Sequence, residues 1–376
     1  MKIKKLVYSA ILFAGILSLN SQMSAQDNLK FNYAFTPMIE LTETSVKSQG
    51  QTGTCWSYAT SSFLESEAAR ISGQVVDLSE MASVRYTYPQ KAEMYIRLQG
   101  KHQFSAGSLC HDVINAVRGW GLVPQDVYSG LKDGETVHNH AEMDKALKAA
   151  VDTILTKPTG KLDVNWMESI TAILDDYIGP QPTQFEYEGS TYTPESFRDY
   201  LGINPNSYIN ISSFNHHPFG ASFILEVPDN FSNGEFYNIP IDEMQRVVEG
   251  ALAGGYTVAW DADVSEAGFS FKHGLALMPA EGEEWKLWKE EIQEAVVTQE
   301  SRQVGFEDQT TTDDHLMHIT GLSMDQSGKK YFVIKNSWGQ NNLYGGHQYI
   351  SMAYFKAKTI SILVNNDAVV RAFQNK

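Results

Sequence analysis

The chain has little cysteine: Cys55 and Cys110 are the only two in 376 residues. That excludes a disulfide-dense scaffold and any thiolate-rich metal cluster. One bridge between the two is one reading and two free thiols the other; a chain this long has core enough to fold without the staple. Basic residues are scarce as well: 29 Lys and Arg stand against 45 Asp and Glu, a formal net charge of −16. Such an excess of negative charge repels polyanions and argues against nucleic acid and anionic membrane surfaces as partners. The chain has no P-loop, no dinucleotide fingerprint and no internal repeat. Metal-ligand spacing is missing too. His216-His217 and the His138, His140 pair each lack third and fourth ligands at suitable spacing, so no metal and no cofactor is expected.

Long apolar runs are absent except at the start. Lys2, Lys4 and Lys5 precede the apolar stretch Leu6–Leu19, and Met23-Ser24-Ala25 offers a small-residue cut. The stretch is short for a spanning helix, which disfavours an uncleaved anchor, and the layout is that of a cleavable export signal over residues 1–25. The expectation is a protein exported to the periplasm or beyond, with no integral membrane segment after processing. About 350 residues then remain, enough for one large domain or two lobes.

What is present centres on Cys55. Gln49-Gly50-Gln51-Thr52-Gly53-Thr54 leads into Cys55-Trp56, and Trp56, Ala59, Thr60, Phe63 and Ala68 recur at helical spacing until Gly73. Cys55 thus opens a helix, where unpaired N–H groups and the helix dipole favour an anion and lower the pKa of a thiol. Gln49 is close enough in sequence for its amide to join the Cys55 N–H as an oxyanion donor pair. Far downstream, His315 and His318 lie in a strand that begins near Asp313-Asp314. Lys330–Lys335 forms the next strand, after the turn Asp325-Gln326-Ser327-Gly328, and ends at Asn336-Ser337-Trp338-Gly339. A His at the start of one strand and an Asn at the end of its neighbour can meet side by side. The Asn carbonyl then fixes the imidazole tautomer and Trp338 shields the bond. That is the nucleophile, base and orienter logic of acyl transfer. Asp313 and Asp314 would favour a protonated imidazole, or else form a solvated turn.

These motifs, with Val46-Lys47-Ser48-Gln49-Gly50 and Leu78-Ser79-Glu80, make the chain resemble the papain-like cysteine peptidases. The Thr-Gly-Thr-Cys-Trp variant, the long middle segment and Thr320-Gly321 make it most similar to their bleomycin hydrolase and aminopeptidase C branch. The resemblance implies an α+β fold of two lobes: a helical lobe over about 45–130, an insertion over about 130–240, and a β-rich, barrel-like lobe over about 241–376. It implies Cys55 as nucleophile, His315 as base (six residues before Gly321), Asn336 as orienter and Gln49 as oxyanion donor. Trp56, Gly107, Ser108 and Trp338 would line the substrate groove, with peptides or proteins as substrates.

Departures limit what carries over. Thr52 stands where secreted relatives have a disulfide cysteine, and Ser108 replaces the second glycine of a Gly-Gly pair. The long C-terminal arm that confers aminopeptidase action in that branch has no counterpart after the strand Thr359–Val364, only a short helical segment. Exo- and endo-action therefore both stay open, as does assembly into an oligomer. A catalytically inactive, peptide-binding relative is the alternative. Elsewhere, Met143–Leu155, Trp166–Tyr177, Ile241–Leu252 and the acidic Trp285–Val297 are expected as helices, Phe185–Tyr192 as a hairpin and Tyr256–Trp260 as a core strand.

Overall fold

The computed structural model describes residues 33–156 and 160–374; the export-signal reading of residues 1–25 lies outside them. After strand β1 (Thr36–Glu40), the chain forms helices α1 (Cys55–Ser72), α2 (Glu80–Arg97), α3 (Cys110–Gly119), α4 (Ala141–Leu155) and α5 (Trp166–Ile178). One apolar core joins all five through Phe63, Leu64, Tyr88, Val113, Leu147 and Leu174. Helix α1 runs through its centre and is buried on every side from Cys55 to Ala68. Much of its buried polar side is committed: Ser57 Oγ donates to Glu80 O (2.7 Å), Thr60 Oγ1 to Trp56 O (2.7 Å) and Ser66 Oγ to Thr42 O (2.7 Å). A buried hydroxyl without a partner would cost about 1–3 kcal/mol, so this Ser/Thr-rich helix is held to one position.

The hairpin β2 (Phe185–Tyr187) and β3 (Ser190–Tyr192) leads to α6 (Pro194–Tyr200), then to strands β4 (Tyr208–Ser212), β5 (Ser222–Ile224) and β6 (Glu235–Asn238). Next come α7 (Ile241–Ala253), β7 (Val258–Ala262), β8 (Phe269–Ser270), β9 (Leu275–Ala276), α8 (Gln299–Glu307), β10 (His315–Met324), β11 (Lys330–Lys335), β12 (His347–Ser351), α9 (Met352–Lys358), β13 (Thr359–Asn365) and α10 (Asn366–Gln374). A single sheet runs β5, β6, β4, β13, β7, β10, β11, β12, β9, β8, with β1 added on β10. It stays open rather than closing into a barrel. A second core of Trp260, Phe332, Ile334, Phe355 and Ile362 lies between this sheet and α7, α9 and α10. The fold is thus α+β, a helical part packed against a sheet-based part. The middle segment joins both: α4 and α5 complete the helical core, while β4 and β6 extend the sheet.

Most of the elements expected from sequence form at or near their expected bounds. Trp285–Val297 does not form the expected helix. Only Glu284–Lys286 makes a turn of 3₁₀ helix. Leu287 and Ile292 are drawn into a small core with Leu275 and Tyr331, and Trp288 takes a positive φ of 71°. The following residues pair as extended chain, with Ala280 N donating to Gln293 O and Ala295 N to Met278 O. Tertiary burial overrides the helical charge pattern here.

Candidate active site

The first turn of α1 brings Cys55 to the sheet. The backbone of Leu316, the residue after His315, lies close enough to the Cys55 thiol to oppose the rise in its pKa. Strand β10 is held in place by antiparallel pairing with β7, His315 opposite Ala262 and Leu316 opposite Asp261. Cys55 and Cys110 are both free and buried, which removes the disulfide reading.

His315 Nε2 lies 2.9 Å from Asn336 Oδ1. The amide orientation follows from its neighbours: Ser337 N can only donate, and it donates to Asn336 Oδ1 (2.6 Å), while Asn336 Nδ2 donates to Gln348 Oε1 (2.6 Å). Nε2 must then carry the imidazole proton, and Nδ1 keeps its lone pair. Trp338 stacks on the imidazole with ring centroids 4.5 Å apart and covers that hydrogen bond. His318, three residues on, points into the opposite core, where its Nδ1 meets Ser62 Oγ at 2.9 Å.

The electrostatics differ from the sequence expectation. The helix start was expected to lower the thiol pKa; instead burial pushes Cys55 up to about 12, with the Leu316 backbone opposing and Asp313, Asp261 and Asp229 adding to the rise. Burial likewise lowers His315 to about 4, against the Asn336 hydrogen bond. Each group alone resists becoming an ion. Nor does Asp313 or Asp314 act on His315. Asp313 is raised to about 7 by burial and by Asp229, and the carboxyl of Asp261 is pushed well up by burial and the Asp313 charge.

Gln49 is buried at 8% exposure. Its Oε1 accepts from Ser337 Oγ (2.7 Å) and its Nε2 donates to Thr52 O (2.7 Å), leaving one of the two amide hydrogens uncommitted. The loop between Gln49 and Cys55 leans on the chain at His138: Gln51 N donates to His138 O (2.8 Å), and Gly50, at φ 65°, passes where a Cβ would strike that carbonyl. Two of the expected groove residues offer no surface. Trp56 is fully buried, its Nε1 donating to Ala106 O (3.0 Å), and Ser108 is 1% exposed with its Oγ donating to Asp112 Oδ2 (2.6 Å). Gly107 lies under the Asp229 carboxylate, which a Cβ would meet head-on. Trp338, 37% exposed, is the expected groove residue that remains open.

Beneath the site, Lys47 bonds Glu80 Oε1 (2.6 Å) and lies 3.9 Å from Glu65, while Lys335 Nζ donates to Thr44 Oγ1 (2.8 Å). This network ties α1, α2 and β11 together and accounts for Leu78-Ser79-Glu80, where Ser79 caps α2. Glu65, Asp77 and Glu80 converge there, but around Lys47. His216 and His217 do gain the third partner that the sequence did not supply, Glu226, at 3.2 and 2.7 Å. Gln303 Nε2 donates to His216 Nδ1 (2.9 Å) and its Oε1 accepts from Asn215 N (2.8 Å), so His216 Nε2 carries a proton and donates to Glu226 rather than offering a lone pair. Sequence reasoning missed Gln348, Asp229 and Asp261; a lone Gln or Asp carries no local motif, and strand pairing brings Gln348 and Asp261 to the site while the β5–β6 loop brings Asp229. Among the described residues, no helix is long and apolar enough to cross a membrane.

Comparison with known proteins gives a consistent result. Residues 103–376 match the model of the peptidase C1-like family, a stretch that includes His315 and Asn336 and begins after Cys55. Aminopeptidase C of Lactobacillus helveticus is 22% identical over 280 residues, 66% of this chain; the chain spans 59% of that relative's length. The crystal structure of PepW from Lactobacillus rhamnosis HN001 superposes with a TM-score of 0.71 at 17% identity, covering 90% of this chain and 85% of the other.

Proposed function

The chain belongs to the peptidase C1-like family, and from that premise we propose that it is an exported cysteine peptidase of the aminopeptidase C kind. Cys55 passes its proton to His315 Nδ1 and the thiolate attacks a peptide carbonyl carbon. Negative charge moves to the carbonyl oxygen, where the Cys55 N–H and the free Gln49 amide hydrogen receive it. Collapse breaks the C–N bond, His315 returns its proton to the departing amine, and a thioester remains on Cys55. Water then attacks with His315 again taking a proton, releasing the acid and restoring the thiol. Asn336 holds the ring so that Nδ1 stays the basic nitrogen throughout, and no metal or organic cofactor takes part in these steps.

One observation carries this reading. The far nitrogen of His315 is fixed on Asn336 beneath Trp338, and the next residue, Leu316, lies against the Cys55 thiol. The experiment is hydrolysis of peptide amides by wild type and Cys55→Ser, with labelling by a peptidyl epoxide. Turnover that disappears in the variant, with the label on Cys55, supports the reading; equal turnover in both ends it. Export rests on residues 1–25, and N-terminal sequencing of the protein from cell fractions tests it. A start at or near residue 26 outside the cytoplasm supports export, and an intact Met1 inside contradicts it.

A further inference from the structure

Between β5 and β6 the chain makes a tight loop around Asn230, whose Nδ2 donates to Leu225 O (2.9 Å) and Gly234 O (3.1 Å) and whose Oδ1 accepts from Gly234 N (2.7 Å). The loop holds Asp229 out over the segment Gln103–Ser108. Asp229 Oδ1 accepts from Gln103 Nε2 (2.7 Å) and Ser105 Oγ (3.5 Å), and Oδ2 lies against Gly107. Lys91, 3% exposed and set 5.1 Å above the Phe231 ring, gives its Nζ to the Gly107 carbonyl. The same segment abuts the nucleophile loop through the bond from Trp56 Nε1 to Ala106 O.

Gly107 was expected to line the substrate groove. Its carbonyl is already taken and its open face is covered by a carboxylate. A substrate cannot run an extended acyl side along it. What that position offers instead is negative charge. Asp313 adds to it on the Cys55 side; Lys91 offsets part of it; Asp112 is spent on Ser108 and Ser232. Resting on the reading of Cys55 as nucleophile, we propose that Asp229 is a specificity-determining residue. It closes the acyl side of the groove and receives a substrate ammonium group, and because the path beyond Gly107 is shut, that ammonium is the α-amino terminus rather than a lysine side chain further along a chain.

The test compares alanyl, acetyl-alanyl and acetyl-lysyl coumarin amides with wild type, Asp229→Asn and Asp229→Glu. Asn keeps the acceptor for Gln103, so the variant retains the loop contact. Wild type is expected to favour the free amine over its acetylated twin by about 100-fold in kcat/KM, the size expected for a desolvated charge pair, with the ratio falling at least about tenfold in Asp229→Asn and recovering in Asp229→Glu. Equal use of free and acetylated alanyl amides, an unchanged ratio in Asp229→Asn, or acetyl-lysyl turnover matching alanyl would each overturn the proposal. If no amide is hydrolysed, the peptidase reading fails by itself. Calorimetric binding of trialanine and acetyl-trialanine to Cys55→Ser then decides: tighter binding of the free amine, lost in Cys55→Ser/Asp229→Asn, upholds the assignment to Asp229, and equal binding refutes it.

Discussion

On one side of Cys55, His315, Asn336 and Gln348 are joined by hydrogen bonds between uncharged groups and covered by Trp338. On the other, Asp229 and Lys91 bring charge to Gly107, and Asp313 and Asp261 lie buried with carboxyls that burial and neighbouring carboxylates push up. The difference follows from the two tasks. A pair that must pass a proton back and forth gains from neighbours that fix geometry without favouring one charge state. Recognition of a charged group needs a standing charge that does not move. The uncharged side should therefore govern rate for every substrate, and the charged side should govern which substrate is taken.

The strongest way to break that division is His315→Ala. It should lower kcat by at least about 10⁴-fold on free and acetylated substrates alike, and adding Cys55→Ser should cost little more, because the two act as a unit. A loss that differs between the two substrates would merge the two sides into one function. Asn336→Ala comes next. It frees the ring to turn and should lower kcat by about 10²-fold with KM nearly unchanged; a steady-state assay in which KM carries the loss would move Asn336 to the recognition side.

The smallest effect sharpens the boundary. Asp313 is raised to about 7, so it is mostly protonated below that pH and charged above it, where its charge opposes ionisation of Cys55. Asp313→Asn should speed alkylation of Cys55 by about threefold above pH 7 and leave it unchanged at pH 5. Stability gives a second readout. A carboxyl raised in the folded protein holds its proton more tightly there than when unfolded, so stability falls as pH rises from the ordinary carboxylate range through about 7 and then levels off. Asp313→Asn should accordingly raise Tm more at pH 8 than at pH 5; an equal change at both would show that the Asp313–Asp261 pair does not titrate in this range.

The uncharged side was the legible one. Cys55 opens a helix marked by its own period, and His315 and Asn336 sit at the ends of two strands joined by an evident turn, so pattern and spacing were enough to bring them together. The charged side was not. Asp229 reaches Gly107 across more than a hundred residues through a loop with no motif. Asp261 looks like any residue of a core strand until its register opposite Leu316 is known. Trp56 and Ser108 were assigned to the groove by resemblance, yet the packing of α1 against Ala106 and the capping of α3 by Asp112 turn both inward. The direction of the thiol shift was missed for a related reason: a helix start is visible in sequence, whereas burial of that start beneath β10 is not.

Catalysis by this site depends most on Cys55 losing its proton to His315 rather than to water. The direct measurement is the rate of iodoacetamide alkylation of Cys55 across pH, mapped by mass spectrometry, in wild type and His315→Ala. A wild-type rate that holds a plateau through neutral pH, replaced in the variant by one that climbs only toward the alkaline range set by a thiol pushed up to about 12, is the predicted result. Superimposed profiles would contradict it.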